Sequence, residues 1–319
     1  MPKTNTSDYE KLEKQIRVVG DESGKKIIPY LESKGLGPSS QDPNYGPHTL
    51  LKLSYLNYYL GVFLRIAGHR KELGRFDNIV FIDAYAGSGI VRIEDTKYAI
   101  LGSTILAATA SSAKRQFDKI ISIEIDPNRA SVLQKRCELL GLSNVHVTEG
   151  DSNEVINFLP KKYDIGKKSI VMLFIDPEGM EPQFSQFLSL SQATDTVDIM
   201  LNATSGITRV NGRISKNITD KDYERMKKFN PRYEAGVDSL ESLKEVFEHD
   251  FGKPKGNQVE IYRTGRALVY TLILRVRRTW NGSKWVEAMN EFGGYISSID
   301  GFDALQALQI IKGDQRTLG

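Results

Sequence analysis

The chain has 319 residues, 40% hydrophobic and 26% charged, which is enough to bury a sizeable core in one large or two modest domains and too apolar for a disordered chain. Forty-three basic against forty acidic side chains leave a net charge of +3, a weak leaning toward anionic partners that selects no substrate. The single cysteine, Cys137, excludes an intrachain disulfide framework and a cysteine-based zinc site, and the four histidines lack ligand spacing, so no metal is expected.

The opening MPKTNTSDYEKLEKQ has no basic region followed by an apolar run. No stretch reaches the roughly 18 consecutive apolar residues of a membrane helix. A soluble, cytoplasmic protein without a membrane partner is expected. Residues 1–45 are polar and run into GLGPSSQDPNYGP. They read as a loosely attached helical extension and linker.

From residue 78 onward, β-rich runs alternate with helical patterns, the sequence form of a parallel sheet covered by helices. The runs are NIVFIDA at 78–84, KIISIEI at 119–125, NVHVTEG at 144–150, SIVMLFID at 169–176 and DTVDIMLNA at 195–203. Several are apolar on consecutive residues, as strands covered on both faces are. Between them, residues 102–117 read as a helix with Ser103 as N-cap. A second helix follows Asp126-Pro127, with Asp as cap, Pro at the first helical position and Gly141 at the end. Residues 205–256, basic and polar at first, read as a cap over the ligand edge. NQVEIYRTG and ALVYTLILRVRR flank Thr264-Gly265-Arg266 and suggest an antiparallel hairpin at one side of the sheet. The expected fold is α/β, a doubly wound, mostly parallel sheet with a C-terminal antiparallel hairpin; residues 291–319 are left as a tail.

FIDAYAGSG, residues 81–89, ends the first of these strands. Gly87 and Gly89 allow unusual φ and close approach of a ligand. Asp83 supplies an acceptor for a cation or N–H group and does not welcome a phosphate. The loop lacks the third glycine of G-x-G-x-x-G, and no G-x-x-x-x-G-K-[ST] occurs in the chain. Phosphate cradling is therefore not expected. Glu124 stands where a side chain can accept from a ribose diol, Asp151 where one can accept from an adenine amine, and Asp176 precedes Pro177 at the end of VMLFID. Carboxylates at the ends of four successive strands point to a ligand site.

Asp83 to Gly89, Glu124, Asp151 and Asp176-Pro177, in that order, resemble the class I S-adenosylmethionine-dependent methyltransferases. More narrowly, the chain resembles the three-Cys-motif partner protein family. The similar stretches are HTLLKLSYLNYYL at 48–60, FIDAYAGSG, GST at 102–104, SIEIDPN at 122–128, EGDSNEVI at 149–156, FIDPEG at 174–179, LNATSGITR at 201–209 and YTLILRVRRTWNGSKWVEAM. The similarity thus spans a methyltransferase-like domain over 46–290.

The resemblance implies S-adenosyl-L-methionine as cofactor. It places Asp83, Gly87 and Gly89 at its methionine end, Glu124 at the ribose and Asp151 at the adenine, with Tyr85 and Asp126 in the same binding set. Lys52 falls at a position where it would meet the cofactor carboxylate or stay solvated. Asp176 and Pro177 would carry the transfer, Asp176 orienting an amine acceptor. Ser88 and Glu178 depart from the family pattern, which has Pro and Phe there, and bear on the acceptor pocket.

Cytosine C5 chemistry is argued against, because Cys137 lies on a helix away from the FID loop. A base-stacking slot would need an aromatic from elsewhere, with Tyr85 and Tyr223 available. The basic set Arg209, Arg213, Lys216, Lys221, Arg225, Lys227 and Lys228, and later Arg275, Arg277 and Arg278, is either a phosphate-facing surface or a solvated one. The expected function is a methyltransferase of unknown acceptor, with nucleic acid a candidate substrate and a three-Cys-motif protein a candidate partner. A non-catalytic cofactor-binding subunit and a nicotinamide-dependent oxidoreductase are the alternatives.

Overall fold

A computed structural model describes residues 6–110, 115–204, 220–234, 239–276 and 284–314. Its centre is a seven-stranded sheet built from β2 (Asn78–Asp83), β5 (Lys119–Glu124), β6 (Val145–Glu149), β7 (Ser169–Ile175), β8 (Val197–Thr204), β9 (Lys255–Arg263) and β10 (Ala267–Val276). The order across the sheet is β6-β5-β2-β7-β8-β10-β9. Strands β6 to β8 are parallel, and β10 runs antiparallel to both β8 and β9. The doubly wound sheet with its C-terminal hairpin is therefore present, and the expected strands fall within two residues of the observed ones. The hairpin turns at Thr264-Gly265-Arg266, where Gly265 and Arg266 take φ of 81° and 63°.

Alternate residues of each central strand feed two cores. Phe81, Met172, Phe174, Met200 and Leu272 face one side, and Val80, Ile82, Leu173, Ile199 and Ile273 face the other. Burial on both faces accounts for the continuous apolar runs. The first core is closed by α1 (Thr6–Val19), α2 (Ile27–Ser33), the long α3 (Thr49–Glu72), α4 (Ser103–Thr109) and α5 (Pro127–Leu139). Two late helices, Lys284–Ser298 and Gly301–Ile311, join them.

The N-terminal extension is not loosely attached. Leu12, Ile16, Val19, Ile28 and Leu31 are buried in the first core, because the amphipathic faces of α1 and α2 pack against the rest of the domain. The stretch expected to be a tail likewise contributes Phe292, Ile296, Ala304 and Leu308 to that core.

On the other face, α8 (Phe184–Ala193) brings Phe184, packed on Phe187, against Phe229, Phe247 and Phe251 of the region read as a cap. Within it, α9 (Asp220–Phe229) buries Phe229 and α10 (Ser239–Glu245) buries Leu243 in the second core, and residues 205–219, with Arg209, Arg213 and Lys216, lie outside the described residues. Arg277 and Arg278 also fall outside them, while Arg275 is buried on β10 and so is no surface cation.

Two helix expectations meet the structure differently. Asp126 caps α5 as expected, its Oδ1 accepting the N–H groups of Asn128 and Arg129 at 2.8 and 3.2 Å. Ser103 is not a cap. Gly102 holds the N-cap position and Ser103 begins the helix, its hydroxyl donating instead to Asp83, a buried carboxylate directly below. The helix itself is shorter than the expected 102–117, ending at Thr109.

The strand order reverses between β2 and β7: the chain moves outward from β2 to β5 and β6, then returns to the opposite side of β2 for β7 and β8. A crevice outside the carboxyl ends of β2 and β7 is where such sheets receive ligands.

Candidate active site

Of the four carboxylates expected at strand ends, Glu124, Asp151 and Asp176 line this crevice and Asp83 lies beneath its loop. Asp83, the last residue of β2, is fully buried. Its Oδ2 accepts from Ser103 Oγ at 2.6 Å and Thr104 Oγ1 at 2.8 Å, and its Oδ1 has no partner among the described residues. Burial pushes this carboxyl up to about 6, against the hydroxyl bonds that pull it down and with nearby Asp176 adding to the rise. Asp83 does not line the cavity beyond the loop. It ties the loop to the start of α4.

The loop itself turns through Gly87 and Gly89, at φ of 61° and 85°. A Cβ at Gly89 would stand 2.8 Å from Leu133 and 3.0 Å from Ile105, so the side-chain position is already filled by the core. Gly102 approaches from the other side. Its N–H donates to Gly89 O at 2.8 Å, and a Cβ there would meet the Gly89 backbone at 2.9–3.2 Å. After Gly89 the chain enters β3 (Ile90–Ile93), which pairs with β4 (Ala99–Leu101) and β1 (Asn44–Tyr45) in a small second sheet. A strand rather than a helix follows the glycines, so no helix N-terminus stands behind them to receive a pyrophosphate.

Ser88 is explained by the linker that precedes α3. Its hydroxyl donates to Asp42, and Asp42 forms a bidentate ion pair with Arg136 of α5, the two side chains being 0% and 1% exposed. Arg136 also donates to the carbonyls of Leu36, Gly37 and Ser88 at 3.0, 2.7 and 3.0 Å. Every guanidinium nitrogen is engaged, which is what a buried arginine requires. A proline at 88 has no hydroxyl to enter this network.

Above the loop lies a cavity of about 590 Å3, within the range of small-molecule sites. Tyr85, Gly87, Gly89, Glu124, Asp126, Asp151, Lys52 and Asp176 all line it. Glu124 accepts the N–H groups of Gly87 at 2.7 Å and Asp126 at 2.9 Å, one on each oxygen, leaving a second lone pair on each. Asp151 caps a short helix, Oδ1 accepting from Asn153 N at 2.8 Å and Nδ2 at 3.0 Å. The buried hydroxyl of Tyr85 has no partner among the described residues, and burial together with Glu181 and Asp151 holds it well above the ordinary tyrosine range. Ile125, 66% exposed, offers an apolar wall beside Glu124. In the sequence it stands only as the last residue of KIISIEI, and its one signal is an apolar side chain directly after a strand-terminal carboxylate.

A second cavity of about 550 Å3 adjoins the first, and Tyr45, Thr49, Lys52, Asp176 and Glu178 line both. Pro177 lines the second alone of the two. Lys52 Nζ donates to both oxygens of Asp176, at 2.9 and 2.7 Å, and Asn202 Nδ2 donates to Asp176 Oδ1 at 2.7 Å. The rings of Tyr45 and Tyr270 flank the ammonium at 5.7 and 5.3 Å from their centroids. Lys52 is therefore neither solvated nor free to face the first cavity only; it is the partner of Asp176. The aromatics here are Tyr45 and Tyr270, whereas Tyr223 packs against Tyr233. Glu178 accepts from Tyr45 Oη at 3.0 Å and lies 3.9 Å from Arg129, so it joins the linker to the FID loop. Of the basic set, Arg225 is the member that reaches this cavity among the described residues.

Among the described residues there is no group of three or more His, Cys, Asp or Glu side chains placed to hold a metal ion, and no helix long and apolar enough to cross a membrane. No family model matches the chain, and no curated protein matches it in sequence. Solved structures do. An O-methyltransferase of tomaymycin synthesis from Streptomyces achromogenes, in complex with SAM, is 13% identical, with 79% of this chain and 88% of that one covered at a TM-score of 0.42. An O-methyltransferase from Bacillus cereus in complex with SAH is 14% identical over 79% and 90% of the two chains at 0.41, and an rRNA methylase from Streptococcus thermophilus is 11% identical over 70% and 94% at 0.38.

Proposed function

We propose that the chain is an S-adenosylmethionine-dependent methyltransferase, with the cofactor in the glycine-loop cavity and the acceptor in the cavity beside it. The observation that carries this reading is the shared wall. Lys52 and Asp176 stand between a chamber suited to a nucleoside and one open to a second molecule. Methyl transfer needs two bound reactants aligned across a short gap, and alignment alone supplies much of its rate.

The residues fit the cofactor. Glu124 keeps a free lone pair on each oxygen for a ribose diol, Asp151 Oδ2 and the unpartnered Tyr85 hydroxyl are available toward the base, and Ile125 offers an apolar face. When bound, the cofactor would supply an electrophilic methyl carbon to an acceptor lone pair. Asp176 Oδ2 accepts from Lys52 and retains capacity for an acceptor N–H or O–H. Asn202 and Lys52 fix the carboxylate in place.

Calorimetry with S-adenosylhomocysteine and with NAD tests the reading directly. Saturable binding of the first without the second is expected, and preference for NAD would overturn the assignment in favour of an oxidoreductase. Labelled-methyl transfer to RNA, DNA, protein and small-molecule pools then separates an enzyme from a cofactor-binding subunit, which would bind and transfer nothing.

A further inference from the structure

We infer that the second cavity selects a methyl acceptor whose reacting end is an uncharged, planar N–H group, such as an aromatic amine or a carboxamide, read by Asn202 and Thr204 of β8. This rests on the methyltransferase reading for the word acceptor, and on the cavity's own walls for the chemistry.

The first argument is the excess of hydrogen-bond acceptors. Asn202 is 3% exposed, and because its Nδ2 faces a carboxylate, which can only accept, its Oδ1 must be the other atom of the amide. That Oδ1 has no partner among the described residues, and neither has the buried Oγ1 of Thr204 two residues along the strand. Both residues line the cavity. Asp176 Oδ2 adds a third acceptor on the same wall. A buried acceptor left unpaired is costly, so a ligand that brings a donor gains more here than one that brings none.

The second argument is charge. Lys52 cancels Asp176, and the remaining charged lining residues, Glu178 and Arg225, are one of each sign. His48 is neutral near pH 7, since burial and the neighbouring cations Lys52 and Arg263 lower it to about 4. A chamber without net charge gives an ammonium no compensation for losing water. The nucleophile must in any case carry a free lone pair, which an ammonium lacks.

The third argument is shape. Tyr45, Tyr270, Met180, Pro177 and Val269 supply apolar surface around the acceptors, the combination of an apolar body and a few placed polar atoms that orients a flat ligand.

Ligand-observed NMR titration with benzamide, N,N-dimethylbenzamide and benzylammonium, with and without saturating S-adenosylhomocysteine, tests the inference on the whole chain. Benzamide should bind about tenfold more tightly than either comparison probe, the worth of one hydrogen bond to an otherwise unpaired buried group. The preference should collapse in Asn202→Leu and narrow in Thr204→Val, the second variant serving if the first does not fold. Equal affinity for benzamide and its dimethyl analogue, tighter binding of benzylammonium, no saturable benzamide binding, or a preference unchanged in Thr204→Val would each overturn it. If S-adenosylhomocysteine fails to bind while the benzamide preference persists, the methyltransferase reading falls and the donor-selective cavity stands.

Discussion

Lys52 on α3 and Asp176 after β7 are 124 residues apart in the chain, yet their side chains meet at 2.7 and 2.9 Å with little exposure on either. The pair gives Lys52 a partner that its place in the sequence does not reveal. If the ammonium serves Asp176, Lys52→Met and Asp176→Asn should both lower methyl transfer by about a hundredfold or more, the usual worth of a positioned acid–base group. S-adenosylhomocysteine affinity should then change little in either. A large loss of that affinity in Lys52→Met alone, measured by calorimetry, would instead place the lysine on the cofactor.

The two glycines of the loop should respond unequally. Gly87 has φ of 61° and Pro43 as its nearest obstacle at 3.6 Å, so Gly87→Ala meets mainly the cost of a left-handed backbone, about 1 kcal/mol. Gly89→Ala adds steric conflict with Leu133 and Ile105 to the same backbone cost. Urea denaturation should therefore rank Gly89→Ala clearly below Gly87→Ala. Equal stabilities would mean that the core beneath Gly89 yields freely.

Arg136→Met should be among the most damaging single changes outside the cavities. It leaves Asp42 charged, buried and without its cation, a loss on the order of 3–5 kcal/mol for pairs of this kind. Asp42 would retain only its bonds from Ser39 N–H and Ser88 Oγ. A loss under about 1 kcal/mol in chemical denaturation would show that the linker detaches without consequence.

Asp83 sets a pH dependence. Its folded value of about 6 exceeds the unfolded value of 3.8, so the folded state binds a proton more readily. The penalty of the buried charge is fully present above about pH 6 and is relieved as pH falls toward 4. Asp83→Asn removes the charge, and its stability relative to the native chain should be most favourable near pH 8, by up to about 3 kcal/mol. That advantage should shrink steadily on acidification. A difference independent of pH would exclude a strongly raised carboxyl.

The sheet was legible because its strands are apolar on both faces, and the strand-end carboxylates because each follows such a run. Asp126, Glu124 and Asp151 stand where local pattern places them. What stayed hidden depends on pairing across long sequence distances. Asp42 and Arg136 are 94 residues apart, and a linker rich in Gly, Pro and Ser reads as loose until its one buried acid finds that guanidinium. Tyr45 lies in no motif, and the family-like stretches that hold Asn202 and Tyr270 assign neither a site role; the tertiary fold brings β1, β8 and β10 to the rim of one chamber. The hydroxyl contacts of Asp83 are hidden for a related reason. A carboxylate at a strand end reads as a ligand contact, while the two hydroxyls that claim it come from a helix 20 residues on.

The burial of Asp42 against Arg136 bears on how this protein is handled at the bench. A shortened version beginning at α3 would keep the whole central sheet and look tidy on paper. It would also leave a guanidinium facing an empty slot under the glycine loop and strip one tyrosine from the walls of both chambers. Such a fragment would be expected to precipitate, and inactivity measured on it would report the trimming, not the whole chain.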